Sequence, residues 1–146
     1  MSPADPNYEA RVRASFAKQQ FMATLGANLT TVQPGEVSIE LPFRADLTQQ
    51  HGFLHAGVVT SVIDSACGYA ALTLMPPDRA VLSVEFKVNL IAPAQGATFQ
   101  ARGRVVRAGR TLTVCTGDLR VVGSESVIAM MQATMMAVEG RSDRRD

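Results

Sequence analysis

The sequence predicts an α+β domain in which a curved antiparallel sheet wraps around one central helix. Helical and strand-like segments are segregated along its 146 residues, in the order helix, two strands, long helix, four strands. The long helix, residues 55–71, is apolar on nearly every side, so more than one face of it must be covered. The chain is long enough to bury its own core, and we expect a single domain over residues 1–146.

The chain begins with a predicted amphipathic helix over about residues 6–25. Asp5 is a suitable N-cap, and Pro6 suits the first helical position. Apolar or aromatic side chains then recur every four residues up to a stop at Gly26.

Strand-like segments account for most of the remaining chain. Residues 29–32 and 37–43 flank a Pro-Gly turn and predict a hairpin. In residues 81–90 every second side chain is apolar, which predicts a half-buried strand with one apolar face. This strand is predicted to begin a four-strand antiparallel meander that continues through residues 98–107, 111–122 and 126–138. The polar tail, residues 139–146, is predicted to be loose.

The composition argues against several classes of partner. Lys and Arg number 14 against 13 Asp and Glu, which provides no broad basic surface for nucleic acid. No apolar run of signal-peptide type opens the chain, and none approaches the roughly 20 residues of a membrane span. The spacing of the two cysteines matches no disulfide framework, which suits a reducing compartment. We expect a soluble cytoplasmic protein that binds neither nucleic acid nor membrane.

One acidic residue, Asp64, interrupts the long apolar helix. A carboxylate away from water is costly unless it is paired, tuned for proton transfer or facing a wet cleft. On a helical wheel it lies in a narrow stripe of small or polar residues, with Gly57, Thr60, Ser61 and Gly68. The stripe allows two interpretations: close packing with Asp64 bonded to neighbouring backbone, or a site that a ligand approaches.

The start of the same helix offers a complementary group. The N–H groups of Ala56, Gly57 and Val58 have no intrahelical acceptor and lie at the positive end of the helix dipole, so they can hold an oxygen that becomes negative. A carboxylate and an oxyanion site are the parts of an acyl-transfer centre. A rise of 1.5 Å per residue places Asp64 about 12 Å from Ala56 along the axis, too far for both to act on one carbonyl. Two copies with antiparallel helices would bring the two groups together, so this hypothesis requires a dimer.

At these residues the sequence resembles the hotdog-fold acyl-CoA thioesterases of the PaaI type, named for phenylacetic acid degradation. Their signature is an HGG string followed by an aspartate, written here as His55-Ala56-Gly57 with Asp64 nine residues after the histidine. The likeness runs over about residues 21–138 and also includes Leu25-Gly26, Ser83 to Ala94 and Arg107 to Thr111. It implies a hotdog fold, in which two subunits pair their sheets edge to edge and such dimers commonly form tetramers.

The resemblance implies roles for individual residues. Asp64 would be the catalytic carboxylate, acting as general base on water or as nucleophile on the thioester. The amide of Ala56, helped by Gly57, would polarise the thioester carbonyl. Gln49 would help to orient water or substrate, and Ser83 would place a hydroxyl beside the carboxylate. Alanine replaces the first glycine of the signature, which keeps the N–H but adds a methyl group where the thioester approaches.

Other residues are candidates for substrate binding. The resemblance suggests that His55 fixes the loop entering the helix, and Thr60 and Ser61 lie on the polar stripe with Asp64. Arg107 and Arg110 lie in the hairpin from Arg107 to Thr111, where they would meet the phosphates of CoA. A cluster of this kind also occurs as a merely solvated face.

The sequence therefore predicts an acyl-CoA thioesterase that needs no metal and no organic cofactor. His51 and His55 lack a third ligand at a spacing that suits zinc. Cys67 lies about 18 Å from His55 along the helix, too far for a cysteine–histidine nucleophile. We expect a homodimer, within a homotetramer, that hydrolyses an acyl-CoA with a medium or long chain or an aryl group. Two alternatives stay open: a non-catalytic module that binds acyl-CoA or an acyl carrier, and a hotdog dehydratase.

Overall fold

A computed structural model describes residues 1–140 and contains one six-stranded antiparallel sheet. The helices are α1 (Tyr8–Lys18), α2 (Gln20–Leu25) and α3 (Ala56–Leu72). The strands are β1 (Asn28–Gln33), β2 (Glu36–Pro42), β3 (Arg79–Leu90), β4 (Thr98–Ala108), β5 (Leu112–Val121) and β6 (Val127–Glu139). The predicted polar tail overlaps the end of β6 at Glu139, and its residues 141–146 lie outside the described residues.

The long helix α3 forms the centre of the molecule. It contacts five of the six strands, β2 to β6. Val62, Ile63 and Ala66 of α3 are fully buried against apolar side chains of the sheet such as Phe99 and Leu119. The predicted architecture, a curved antiparallel sheet around one central helix, is confirmed. No helix within residues 1–140 is both long and apolar enough to cross a membrane.

Two glycines of the sheet let α3 lie close against it. A Cβ at Gly103 in β4 would collide with the backbone of Ala66, and one at Gly117 in β5 would meet Ile63 Cγ2 at 2.5 Å. The helix backbone at Ala66 cannot move aside for a side chain at Gly103, and Gly117 faces the buried side chains of Ile63 and Cys67, so both positions of the sheet favour glycine.

The strand order corrects the predicted meander. The order is β1-β2-β4-β5-β6-β3, so β4, β5 and β6 form a meander, but β3 pairs with β6 and not with β4. The alternation of residues 81–90 identifies a strand but not its neighbour. As a result β3 lies at one edge of the sheet, and its second edge has no partner within residues 1–140.

A β-bulge corrects the predicted face of β3. Directly opposed residues of antiparallel strands share a face, and Ser83 lies opposite Met135, which is fully buried. The register shifts between Ser83 and Glu85, and beyond the shift Phe86 lies opposite a buried alanine of β6. The extra residue in the bulge therefore places Ser83 and Phe86 on the inner face and Leu82 on the outer one. Leu82 and Phe86 were predicted to share a face.

The predicted helix over residues 6–25 is two helices. Asp5 does not cap the first turn: its Oδ1 accepts from the N–H of Asn7 at 2.8 Å, and α1 begins only at Tyr8. The chain is extended at Gln19, with ψ at 99°, and this residue ends α1 and precedes α2. The break allows the Gln19 side chain to reach α3, as described below.

Candidate active site

Asp64 lies half-buried in α3, at the wall of a pocket of about 170 Å³ between α1, α3 and β3. The hydroxyl of Ser83 donates to Asp64 Oδ1 at 2.7 Å and is the only hydrogen-bond partner of this carboxyl within residues 1–140. Burial raises the pKa of Asp64 above its usual range, and the Ser83 hydrogen bond acts in the opposite direction. The packing interpretation required neighbouring backbone to hold this carboxyl, and that is not what the structure has. The carboxyl instead faces an open pocket, where it can accept a proton.

Hydrogen-bonded side chains form the wall of this pocket on the C-terminal side of Asp64. Gln19 Nε2 donates to Tyr69 Oη at 3.0 Å, and Ser65 Oγ donates to Gln19 Oε1 at 3.2 Å. The hydroxyl of Ser15 is 3.4 Å from Tyr69 Oη. No pattern in the sequence selected these residues. Tyr69 is five positions after Asp64 on the same helix, but Gln19 reaches the pocket only because the chain is extended there.

A second groove, of about 340 Å³, opens at the N-terminus of α3. Most of its walls are apolar, and they include Phe53, Leu90 and Ile91 together with Gln49 and Ala56. The N–H of Ala56 has no acceptor within residues 1–140. At the positive end of a 17-residue helix this group can hold a carbonyl oxygen that becomes negative.

His55 holds the start of α3 and thereby occupies the N–H of Gly57. His55 is the N-cap of α3, and its Nδ1 accepts from the N–H of Gly57 at 2.8 Å. The N–H of Val58 donates to His55 O at 2.9 Å. Gly57 was expected to help Ala56 polarise a carbonyl, but its N–H is already bonded. Ala56 alone presents an unbonded N–H at this end of the helix.

Gln49 lies in the groove beside Ala56 and holds the loop that precedes α3. Its Oε1 accepts from the N–H of His51 at 2.6 Å and from that of Phe53 at 3.3 Å. These bonds leave Nε2 without a partner within the described residues. The side chain is thus fixed through its oxygen, and its amide protons are available to a ligand in the groove.

The remaining predicted binding residues line neither the pocket nor the groove. Ser61 Oγ donates to Gly57 O at 2.6 Å, a bond within α3, and Thr60 is half-buried. Arg107 and Arg110 are exposed at the turn between β4 and β5. These two arginines form no ion pair within residues 1–140, so their charges are available to an anion.

Neither a zinc site nor a cysteine–histidine nucleophile is formed in the described residues. Within them no three His, Cys, Asp or Glu side chains are grouped to hold a metal ion. Cys67 is fully buried in the core, where burial raises the pKa of its thiol and disfavours the thiolate.

Within one chain the predicted catalytic residues thus fall into two separate groups. Asp64 and Ser83 lie at the pocket, whereas Ala56 and Gln49 lie at the groove. Each group contains one part of an acyl-transfer centre and lacks the other.

Comparison with known proteins places this arrangement in a family. Residues 51–128 match the thioesterase superfamily. The crystal structure of a thioesterase family protein from Silicibacter pomeroyi is 55% identical, with a TM-score of 0.88 over 91% of this chain and 99% of that chain. Human acyl-coenzyme A thioesterase 13 is 24% identical over 127 residues, which are 84% of this chain and 89% of the human protein.

A more distant structure shows the fold alone. The PaaI protein from the phenylacetic acid degradation operon of E. coli is 16% identical, with a TM-score of 0.85 over 94% of this chain and 97% of that chain. The expected hotdog fold is therefore confirmed, and so are the resemblance and the expected class of enzyme, a thioester hydrolase. The chain belongs to the thioesterase superfamily.

Proposed function

We propose that the protein hydrolyses acyl-CoA to free acid and CoA at two identical sites, each built from both chains of a homodimer. The observation that carries the proposal is the hydrogen bond of Ser83 to Asp64 at an open pocket. Asp64 lies on the same helix whose first N–H, at Ala56, has no acceptor within residues 1–140. Acyl-CoA as the substrate class is supported by the relatives that are named as acyl-CoA thioesterases.

The two chemical groups require two chains because of their separation. Asp64 lies about 12 Å from Ala56 along the axis of α3, whereas a base and an oxyanion donor must both reach one carbonyl. They also belong to different cavities of the chain. A second copy with its α3 antiparallel to the first brings the carboxyl of each chain opposite the N-terminal amide of the other.

Strand β3 provides the surface for this second copy. Its outer edge is unpaired within residues 1–140, and such an edge readily pairs with another strand. Leu82, Val84 and Leu90 on this strand are 58%, 53% and 54% exposed. Large apolar side chains along an unpaired edge favour a dimer in which the two sheets join edge to edge.

The charges on β3 favour one register for the paired edges. If Phe86 lies opposite its own copy at the two-fold axis, Glu85 of each chain lies opposite Lys87 of the other. Registers centred on Glu85 or on Lys87 would instead place like charges opposite each other. The register centred on Phe86 also places Ser83, which bonds Asp64, opposite residues 88–89 of the second copy, next to Leu90 in the wall of its groove.

The carboxyl of Asp64 and the N–H of Ala56 together account for hydrolysis of the thioester. Asp64 accepts a proton from water, and the resulting hydroxide adds to the thioester carbon. The electron pair of the carbonyl moves to its oxygen, which the N–H of Ala56 from the second chain stabilises. When the carbonyl re-forms, the thiolate of CoA leaves and takes the proton from Asp64. Direct attack by the Asp64 carboxylate, followed by hydrolysis of the anhydride, uses the same groups.

Other residues have supporting roles in this proposal. Gln49 directs its Nε2 protons to the thioester oxygen or to the attacking water, in the groove that it shares with Ala56. Arg107 and Arg110 hold phosphate groups of CoA, since guanidinium groups without ion pairs suit that ligand. Thr60 and Ser61 have no role in it.

Thiol release from a panel of acyl-CoA substrates tests the proposal. We expect Asp64→Asn to lower kcat by about 10²- to 10⁴-fold with the fold intact, because the general base is lost. The control is Asp46→Asn, in which an exposed carboxylate paired with Arg44 is replaced. Near-normal turnover by Asp64→Asn would contradict the assigned role. Tight binding of acyl-CoA by the wild-type protein without release of thiol would support a binding module instead.

A further inference from the structure

The side chain of Met135 lies against the Asp64–Ser83 pair on the side of the core. Met135 of β6 is directly opposite Ser83 of β3, and directly opposed residues of antiparallel strands share a face. The bulge of β3 begins only after Ser83, so both side chains lie on the inner face of the sheet. Met135 is fully buried, and its Sδ is 3.4 Å from Ser83 Oγ. The Ser83 hydroxyl therefore has a second acceptor beside it in addition to Asp64.

The two acceptors share one proton. A serine hydroxyl has a single proton to donate, while an ionised carboxylate and a thioether sulfur can only accept. As long as Asp64 is ionised, the hydroxyl donates to its Oδ1 at 2.7 Å, because a charged oxygen is a much stronger acceptor than sulfur. The sulfur of Met135 is then only a neighbour of the hydroxyl.

Protonation of Asp64 reverses this arrangement. The protonated carboxyl has an O–H of its own to donate, and Ser83 Oγ at 2.7 Å is within reach as its acceptor. The Ser83 proton must then point elsewhere, and within residues 1–140 its one other hydrogen-bond partner is Met135 Sδ. A hydroxyl proton without an acceptor would cost free energy in this partly buried place. The sulfur therefore stabilises the protonated form of Asp64.

Among the described residues no charged side chain besides Asp64 lines its pocket. Tyr69 is the one further titratable side chain in the wall, and Cys67, one turn along α3, is buried with the pKa of its thiol raised by that burial. The groove that the second chain would contribute is lined by uncharged side chains within residues 1–140. The charged side chains of α1, β3 and β6 line neither cavity, and they are Glu9, Arg11, Arg13, Lys18, Arg79, Glu85, Lys87 and Glu139.

We propose that Met135 is a positioning residue, whose sulfur holds the Ser83 hydroxyl proton during the step in which Asp64 carries the proton taken from water. The inference rests on the proposed function and adds one residue to it. In that step Asp64 donates to Ser83 Oγ, and the Ser83 hydroxyl donates to Met135 Sδ. When the thiolate of CoA leaves with the proton of Asp64, the Ser83 hydroxyl turns back to Asp64 Oδ1. No proton leaves Ser83, so both supporting side chains end the cycle unchanged.

The test replaces the sulfur without changing the volume of the side chain. Met135→Leu is such a substitution and is usually tolerated in a core. Because the protonated form of Asp64 loses a partner, the acidic limb of kcat/KM should move to lower pH by roughly 0.3–0.5 unit, the effect of one weak hydrogen bond. The control is Met131→Leu, at a buried methionine on the same face of β6 four residues away, and its limb should stay in place. An unmoved limb in Met135→Leu, or one that moves to higher pH, would overturn the inference.

A second background separates this role from a change in packing. Looser packing would admit water to Asp64 and lower its pKa whether or not Ser83 is present. A sulfur that acts through Ser83 has no effect once the hydroxyl is gone, so adding Met135→Leu to Ser83→Ala should leave the titration of Asp64 unchanged. Carbon-13 NMR of labelled aspartate follows this titration without enzymatic activity, and the Asp64 signal is the one lost in Asp64→Asn. An equal shift in both backgrounds would refute the role of Met135.

The outcomes separate the inference from the function on which it rests. A wild-type enzyme that releases thiol, with a Met135→Leu variant in which Asp64 titrates as in the wild type, retains the thioesterase function and loses the inference. A wild-type enzyme that releases thiol from no CoA thioester overturns both.

Discussion

At the scale of single residues, the site depends on one carboxyl that is kept partly out of water. Burial makes the charged form of Asp64 less favourable and raises its pKa, while the hydroxyl of Ser83 stabilises the same charged form at 2.7 Å. These two effects set the pH at which the carboxyl becomes a base. In the proposed reaction the Ser83 hydroxyl therefore positions and tunes the carboxyl and does not itself react.

The pH dependence of Ser83→Ala follows from this balance. Both routes to hydrolysis require ionised Asp64, so kcat/KM should fall as the pH drops through its pKa. Loss of the Ser83 bond removes a group that lowers this pKa, so the acidic limb of the profile should move to higher pH. Ser126→Ala, at an exposed position between β5 and β6, is the control and should leave the limb in place. A limb that stays or moves to lower pH in Ser83→Ala would contradict the tuning role.

At the scale of secondary-structure elements, the position of α3 depends on glycines in the strands beneath it. The backbone of Ala66 lies where a side chain at Gly103 would have to be. This contact fixes the height of α3 above the sheet, and with it the positions of Asp64 and Ala56.

Gly103→Ala should therefore lower the free energy of unfolding by about 3 kcal/mol or more, because strand and helix must separate to admit the methyl group. Gly68→Ala is the matched control on α3 itself. A Cβ there meets nothing within 4 Å, and alanine in a helix is more stable than glycine by roughly 0.5–1 kcal/mol. Urea unfolding at one fixed protein concentration compares the two. Equal stability of Gly103→Ala and the wild type would show that the close contact is not needed.

The elements also show how far sequence reasoning extends. The apolar run around Asp64 is local information, and it predicted a helix over residues 55–71 where the structure has α3 at Ala56–Leu72. The pairing of β3 with β6, the bulge after Ser83 and the break at Gln19 depend on contacts between distant segments. The bond between His55 Nδ1 and the N–H of Gly57 depends on one side-chain rotamer, which no spacing specifies. For that reason sequence reasoning selected Asp64 and Ala56 as candidates but did not select Gln19 or Tyr69.

At the scale of the whole molecule, the proposed site requires a symmetric dimer through β3. Lys87→Glu should weaken this dimer about tenfold or more, because each Glu85 would then face a glutamate across the two-fold axis. The charge-exchanged variant Glu85→Lys with Lys87→Glu should restore association by recreating two opposite-charge pairs. Sedimentation across a range of concentrations measures both. Failure of the exchanged variant to recover would contradict the register centred on Phe86.

The most direct test of the central claim uses two inactive chains. Ala56→Pro removes the N–H at the first helical position, where proline is well accommodated, and His55 already has the extended backbone, φ −60° and ψ 140°, that suits a residue before proline. The second chain is Asp64→Asn. In a mixed dimer of the two, one site combines an intact carboxyl with an intact amide, and the other site has neither.

Each variant is first assayed alone and then after unfolding and refolding together in equal amounts. Each alone should be nearly inactive. Random pairing makes half of the dimers mixed, with one working site of two, so the mixture should regain about a quarter of wild-type activity. If the mixture instead stays as inactive as its parents while mixed dimers are demonstrably present, each reaction centre lies within one chain and the account is wrong.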